Sequence, residues 1–367
     1  MDKPLVSILM TTYNGKRFIR ETIESILSQT YSNFEFLIID DCSSDETSAI
    51  VEQYDDRRIR LIRNQSNLGI PRSRNLGIEQ AAGIYMAVTD HDDISAPDRL
   101  TRQVAFLEAH PDVVLLGTGS NLLSDGRLTV EPSWSGSHVL RWKLLTASPF
   151  PHSSACVRLS AIRRHGLRYR VDVSCADDHD LFYRMSQVGE IECLPEPLVT
   201  WRAHGGNASL VMKSKNDASA KCVLHDIYLE LLGEPASERQ IELALRVLMH
   251  RETIPDKPTL IEVGTFLSRL LSAYLSRADL APKQSAEVST VASAAWWRIV
   301  QAAVKIHGQS LYCCYRMFPD LSVLNPSAVE RMKLWVLTLL GPEGANRVRS
   351  ALGLPPAAST GPGESTY

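Results

Sequence analysis

Asp90-His91-Asp92-Asp93 follows Ile84-Tyr85-Met86-Ala87-Val88-Thr89, a six-residue run that reads as a buried strand. Three carboxylates where such a strand opens into a loop are costly unless a cation neutralises them. A hard divalent ion with oxygen ligands meets that need, and nucleotide diphosphates arrive with one. Three further clusters could share the task. Thr11-Thr12-Tyr13-Asn14 offers hydroxyls and an aromatic ring. Asp40-Asp41 offers a carboxylate that could accept the imide N–H of a uracil, or that simply sits at a helix N-terminus. Asn67-Leu68-Gly69-Ile70-Pro71-Arg72-Ser73-Arg74-Asn75 offers a glycine turn, with Arg72 or Arg74 able to reach a phosphate.

The elements that must position these residues alternate. Residues 5–10, 34–40, 59–64, 84–90 and 113–118 are short β-rich runs bounded by polar or turn residues. Between them Phe18, Ile19, Thr22, Ile23, Ile26 and Leu27 recur at helical spacing. Ser43 and Glu46 have the capping-box spacing for a second helix. Pro71 and Pro97 suit the first turns of a third and a fourth. Such alternation predicts a parallel, doubly wound sheet that binds ligands at the carboxyl ends of its strands. From about 120 to 205 the pattern changes: a hairpin at Asp125-Gly126, helices over 137–146 and 177–188, and a strand over 198–201.

Beyond about 210 the chain reads as helical, with capping boxes at Ser237/Gln240 and Thr259/Glu262 and prolines punctuating the helices. Residues from about 354, rich in Pro, Gly, Ser and Thr, are expected to be a disordered tail. The expected organisation is a catalytic domain over 1–209, a helical region over 210–353 and that tail over 354–367. Trp296, Trp297 and Trp335, with eight Lys/Arg against four Asp/Glu between Lys283 and Arg349, suit an anionic lipid surface; a packed appendage or homodimer interface is the competing expectation.

Composition narrows the class. A net charge of -3 over 367 residues gives no reason to expect nucleic acid as a partner. Seven cysteines without framework or zinc spacing point to a reducing compartment. The N-terminus has no secretory pattern, and the apolar run 334–340 is far shorter than a membrane span. The expectation is a cytoplasmic protein, at most peripheral at the inner face of the cell membrane.

The motifs in series resemble family 2 glycosyltransferases with the GT-A fold. The resemblance is carried by Val6 through Asn14, Leu37 through Thr47 and Asn67 through Asp93. It continues in Phe150-Pro151-His152-Ser153-Ser154, in Asp177 through Arg184 and in Leu194 through Gly205, and covers roughly residues 4–209. It implies a Rossmann-like, mainly parallel sheet flanked by helices, and an inverting transfer from a nucleotide-diphosphate sugar that depends on Mn²⁺ or Mg²⁺. Thr11, Tyr13 and Asp41 match the family's uridine pocket. Asp90 and Asp92 match its Asp-x-Asp motif, the second holding the metal and the first nearer the ribose. Arg74 falls among the nucleotide-binding positions. Asp178 matches the catalytic base, and His204 a histidine that some members add to the metal or diphosphate. The implied partners are a nucleotide-sugar donor, UDP-linked, and a glycan or lipid-linked acceptor of cell-surface polysaccharide synthesis. Three positions depart from the pattern: Thr11 stands where a proline is frequent, Cys42 replaces a glycine and Asp177 a glutamate.

Other readings fit less well. Gly117-Thr118-Gly119 could open a dinucleotide-binding turn, yet Leu122 occupies the position that needs a small residue, and the run follows the fifth strand. A nucleotidyltransferase would carry a glycine-rich basic loop, of which Tyr13-Asn14-Gly15-Lys16-Arg17 is a poor version. A non-catalytic nucleotide-sugar or glycan binder on the same fold would not need Asp41, Asp90, Asp92 and Asp178 together.

Overall fold

The computed structural model describes residues 5–277, 279–307 and 312–323. Trp335, the apolar run 334–340 and the expected tail lie outside them. The chain divides into two compact units, Met1–Val223 and Leu224–Tyr367.

The first unit opens with β1 (Val6–Thr12), α1 (Ile19–Leu27), β2 (Phe34–Asp40), α2 (Thr47–Val51), β3 (Ile59–Arg63), α3 (Ile70–Gln80) and β4 (Tyr85–Asp90). It continues with β5 (Ile94–Ser95), α4 (Arg99–Ala109), β6 (Val113–Ser124), β7 (Arg127–Val130), α5 (Ser137–Leu144), β8 (Cys156–Arg158), α6 (Leu159–Arg164), α7 (Asp177–Ser186), β9 (Glu190–Arg202) and α8 (Ala208–Val211). The sheet order is β3-β2-β1-β4-β8-β6-β9-β5, with β7 hairpinned onto β6. β1 lies between β2 and β4, parallel to both, so the chain reverses its winding there and opens a crevice at the strands' carboxyl ends.

The sheet is mixed rather than wholly parallel. β8 runs antiparallel to both β4 and β6 and separates them. Three residues are too few to show a period, so this strand has no sequence signature. β9 extends far beyond the predicted 198–201 because its two prolines are accommodated by irregular pairing: the register jumps from Thr118↔Leu194 to Gly119↔Pro197. At the β6–β7 turn, Asp125 and Gly126 have φ of 48° and 74°, the left-handed pair that a two-residue hairpin favours.

One face of the sheet buries Ile8, Met10, Phe36 and Ile38 against Ile19, Ile23, Val104 and Leu107. On the other, α3 sits so close that a Cβ on Gly77 would lie 2.1 Å from Cδ1 of Leu9. Gly117 and Gly119 serve packing in the same way. A Cβ on Gly117 would enter the Phe150 ring at 2.3 Å, and one on Gly119 would lie 2.5 Å from the Pro195 carbonyl oxygen. Their role is to admit β9's irregular pairing and Phe150, which removes the dinucleotide-binding reading. Gly119→Ala should lower stability by about 1–3 kcal/mol, because the obstructing atom is backbone. Thermal unfolding checks this, and an unchanged midpoint would show the pairing to be more compliant than drawn.

Helix starts correct three of the sequence expectations, two of them in this unit. The Ser43 hydroxyl is drawn to buried Asp40, and Asp45 takes over by accepting the Thr47 N–H at 3.0 Å, so no Ser43/Glu46 capping box forms. Pro97 precedes the N-cap Asp98 of α4 instead of lying in its first turn.

From the first unit α9 (Lys213–Leu232) leads into α10 (Glu238–Leu243), a π-helical turn over Ala244–Met249, α11 (Lys257–Arg277), α12 (Pro282–His307) and α13 (Tyr312–Arg316). Ser237 and Gln240 form the expected capping box. α11 starts before Thr259, whose N–H donates to Asp256 Oδ1 at 2.7 Å. Trp296 is fully buried with its ring 5.4 Å from Phe318, and buried Trp297 packs on Tyr315. Two of the three tryptophans behind the lipid-surface expectation are therefore core residues. No helix among the described residues is long and apolar enough to cross a membrane.

Candidate active site

Four polar segments meet at the carboxyl edge of the sheet. Thr11 of β1 is paired with Asp90 of β4 across the ladder. Tyr13, just beyond β1, is 49% exposed, an uncommon placement for a large aromatic ring beside a crevice. The Asn14 N–H donates to Ser43 Oγ at 2.9 Å, and its Oδ1 accepts from the Ser44 N–H at 2.8 Å, so the loops after β1 and β2 are laced together. Cys42, between them, has φ of 66°, which explains why a glycine suits that position.

Asp41 is buried and accepts three N–H bonds. Asn64 Nδ2 at 2.7 Å and the Leu68 N–H at 2.8 Å meet Oδ1; the Gly69 N–H meets Oδ2 at 2.8 Å. The carboxylate thus anchors the Asn67–Pro71 loop, and with a single donor on Oδ2 that oxygen keeps acceptor capacity.

Arg74 enters this edge from α3. Its sequence position offered reach to a phosphate, but in the structure the side chain is buried and drawn to carboxylates: Nη1 lies 2.8 Å from Asp177 Oδ2 and Nη2 3.4 Å from Asp90 Oδ1. Burial opposes the charge, but Asp177 and Asp90 outweigh it and hold the guanidinium ionised well above its ordinary range. Nη2 also lies 3.1 Å from His152 Nδ1, while His152 Nε2 is 3.0 Å from the Tyr169 hydroxyl. The network joins α3, the end of β4, the short turn at His152 and the start of α7. His152 and Tyr169 received no role from the sequence; the only signal was that His152 lies within one of the recognised stretches.

Asp177 and Asp178 separate cleanly. Asp177 is buried, and burial pushes its carboxyl upward while Arg74 pulls it down. Asp178, one residue on, is partly exposed. Leu181, Phe182 and Met185 are buried on α7, as their spacing implied, and they fix the helix that carries Asp178.

On the far side of Asp90, Asp92 Oδ2 lies 2.9 Å from His204 Nε2, with side chains 13% and 15% exposed. The His204 ring packs against Phe18 at 4.6 Å, and the Arg202 guanidinium lies over the same Phe18 ring at 5.0 Å. Asn207, which sequence reading passed over, donates to Asp92 Oδ2 at 3.2 Å. Asp93 points inward: burial, then Asp90 and Asp92, push its carboxyl well above the ordinary range, and it accepts the Arg202 N–H at 3.2 Å. Behind it lies Arg99, which burial pushes down to about 10 and which donates to the carbonyls of Val88 and Ala155 at 2.8 and 3.2 Å. Asp93 is therefore a structural member of the acidic cluster.

Thr12 Oγ1, Arg74 Nε and Arg202 Nη1 are buried without a partner. Each such atom costs about 1–3 kcal/mol unless something meets it. Thr12 ends β1, Arg202 ends β9 and Arg74 lies on α3, so all three belong to elements that meet at this edge of the sheet.

The family model described as Glycosyl transferase family 2 matches residues 7–165. An uncharacterised glycosyltransferase of Haemophilus influenzae is 30% identical over 246 residues, 63% of this chain and 76% of that one. The chain belongs to glycosyl transferase family 2. Another relative of this glycosyltransferase is the Escherichia coli UDP-Glc:alpha-D-GlcNAc-diphosphoundecaprenol beta-1,3-glucosyltransferase WfgD. The two are 40% identical over 107 residues, 29% of this chain and 42% of that one. Among solved structures, residues 1–349 of S. aureus TarS in complex with UDP-GlcNAc give a TM-score of 0.54 at 19% identity, covering 81% of this chain and 89% of that one. That likeness is one of fold: the GT-A-like, mostly parallel sheet with flanking helices, followed by a helical region.

Proposed function

We propose that this glycosyltransferase moves a sugar, with inversion, from a UDP-sugar to a hydroxyl of a glycan or lipid-linked acceptor in cell-surface polysaccharide synthesis. The observation that carries the reading is the Asp92–His204 pair, 2.9 Å apart beside buried unpaired donors and on the same edge as exposed Tyr13. Asp92 and His204 are the residues that would hold Mn²⁺ or Mg²⁺: a carboxylate oxygen and an imidazole nitrogen meet here, and the ion would take the place of the proton now between them. Among the described residues no group of three His, Cys, Asp or Glu side chains could hold a metal alone. Such a site would rely on diphosphate oxygens and water for its remaining ligands, which suits an ion that arrives with the donor. When bound, the ion would offset charge on the departing diphosphate.

The protein's own residues would do the rest. Tyr13 would stack on the base and Asp41 Oδ2 would accept the uracil imide N–H. Asp90 would face the ribose, its orientation set by Arg74 and His152. Arg202 Nη1 and Thr12 Oγ1 would find their partners on the donor. Asp178 would take the proton from the acceptor hydroxyl as that oxygen attacks the anomeric carbon. Arg74 is then a positioning residue, tying the donor's aspartate to the helix of the base. The relative whose name gives UDP-Glc and a diphosphoundecaprenol-linked acceptor supports the choice of donor and acceptor. In this reading residues 1–209 carry the chemistry. Region 210–353 serves association, as a homodimer or at the inner face of the membrane, with the protein otherwise cytoplasmic.

The test is thermal stabilisation by UDP, GDP and ADP with Mn²⁺ present. UDP should stabilise most, and Tyr13→Ala should cost about 1–3 kcal/mol of that binding, the worth of one base–aromatic stack. Equal shifts with all three nucleotides would remove the uridine assignment; no shift with any would remove the nucleotide-sugar reading.

A further inference from the structure

Asn207 makes more contacts to the Asp92–His204 pair than any other residue of its loop. Its Oδ1 accepts the His204 N–H at 2.6 Å. Its Nδ2 donates to the Arg202 carbonyl at 3.0 Å and to Asp92 Oδ2 at 3.2 Å, and lies 3.3 Å from His204 Nε2. The Asn207 N–H in turn donates to the His204 carbonyl at 3.1 Å, so the turn folds around its own amide side chain. The Phe18 ring packs on the imidazole at 4.6 Å. The ring is thus held by an aromatic face and an amide, with Nε2 beside the carboxylate. Gly205 and Gly206 separate the histidine from the asparagine; the Gly206 N–H donates to His204 Nδ1 at 3.1 Å and steadies that edge of the ring, while the Asn207 amide sits at the Nε2 edge that faces Asp92.

We propose that Asn207 is the positioning residue of this pair and that, by keeping the imidazole nitrogen at Asp92, it makes the site prefer Mn²⁺ over Mg²⁺. The inference rests on the metal-site reading of Asp92 and His204. Mn²⁺ is the weakest binder of the first transition row and shares Mg²⁺'s taste for oxygen, yet it accepts an imidazole nitrogen beside its oxygen ligands more readily than Mg²⁺ does. A neutral amide adds no ligand charge, so its effect on the ion passes through the two side chains it holds, and its effect on the choice of ion through the histidine. Without Asn207, the histidine can turn off the site, and the protein contributes only the Asp92 oxygen, which distinguishes the two ions poorly.

The test measures Mn²⁺ and Mg²⁺ binding to the full chain, with and without UDP, from the electron paramagnetic resonance signal of free Mn²⁺ and its displacement by Mg²⁺. Asn207→Ala should weaken Mn²⁺ by about 10- to 100-fold, the usual cost of losing a residue that orients a ligand. Mg²⁺ should weaken far less, so the Mn²⁺/Mg²⁺ preference collapses. Asn207→Ser, too short to span His204 and Asp92, should behave alike. Because the choice of ion passes through His204, Asn207→Ala should leave the Mn²⁺/Mg²⁺ ratio of a His204→Ala background unchanged and add less than its full effect on Mn²⁺ binding there. Asp92→Ala separates the two readings. If it leaves Mn²⁺ binding unchanged, the metal site itself is misplaced. If it abolishes binding while Asn207→Ala keeps the Mn²⁺/Mg²⁺ ratio, or adds fully to His204→Ala, the role of Asn207 is wrong and the site stands.

Discussion

Asp178→Asn is expected to keep donor binding and to lower transfer by about 10²–10⁴-fold, the usual contribution of a positioned general base. The substitution preserves size and hydrogen-bonding reach and removes only basicity. Leu181, Phe182 and Met185 lock the helix beneath it, so the geometry should survive. Asp177 is the control, and the structure gives it a different failure. Its carboxylate partners Arg74 at 2.8 Å inside the protein, so Asp177→Ala leaves a buried guanidinium short of a counter-charge. Breaking such a pair typically costs about 3–5 kcal/mol of stability. Asp177→Ala should therefore show a lowered unfolding midpoint, whereas Asp178→Asn should unfold like the parent. Transfer assays and thermal unfolding on both variants separate the two. Near-normal transfer by Asp178→Asn, with loss in Asp177→Asn at a temperature where both are folded, would move the base one residue earlier.

The edge of the sheet was legible because its strands are continuous apolar runs that end abruptly in acids or hydroxyls. Val6–Thr12, Phe34–Asp40 and Tyr85–Asp90 announce both the strand and the ligand-facing end. What the residues do to one another was not legible. Ser43-x-x-Glu46 and Ser237-x-x-Gln240 are the same local pattern, yet only the second caps its helix. The first serine is claimed by Asp40, a neighbour whose burial is a tertiary fact. Arg74 looked free to reach a phosphate because sequence does not show that Asp177, 103 residues away, comes to meet it. Asp41 could be placed at the crevice, but its three N–H partners come from a loop whose folding depends on Gly69, at φ of 86°. Cys156–Arg158 and the proline-interrupted part of β9 had no period to read, and the first of them, antiparallel to both its neighbours, turns a parallel sheet into a mixed one. His152 and Asn207 act through side chains on other segments, so only the assembled edge reveals them.

The central claim is that this edge binds a nucleotide diphosphate through an ion held at Asp92. Calorimetric titration of UDP into the parent and into Asp92→Ala, each with and without Mn²⁺, tests it most directly. The Asp92 carboxylate is 13% exposed, and its side-chain partners are His204 and Asn207. The parent should bind UDP with strong Mn²⁺ dependence. Asp92→Ala should lose that dependence and weaken by at least about 100-fold in Mn²⁺, beyond what loss of a mere orienting neighbour costs, while unfolding at a similar temperature. Unchanged UDP affinity and unchanged Mn²⁺ dependence in Asp92→Ala would contradict the account.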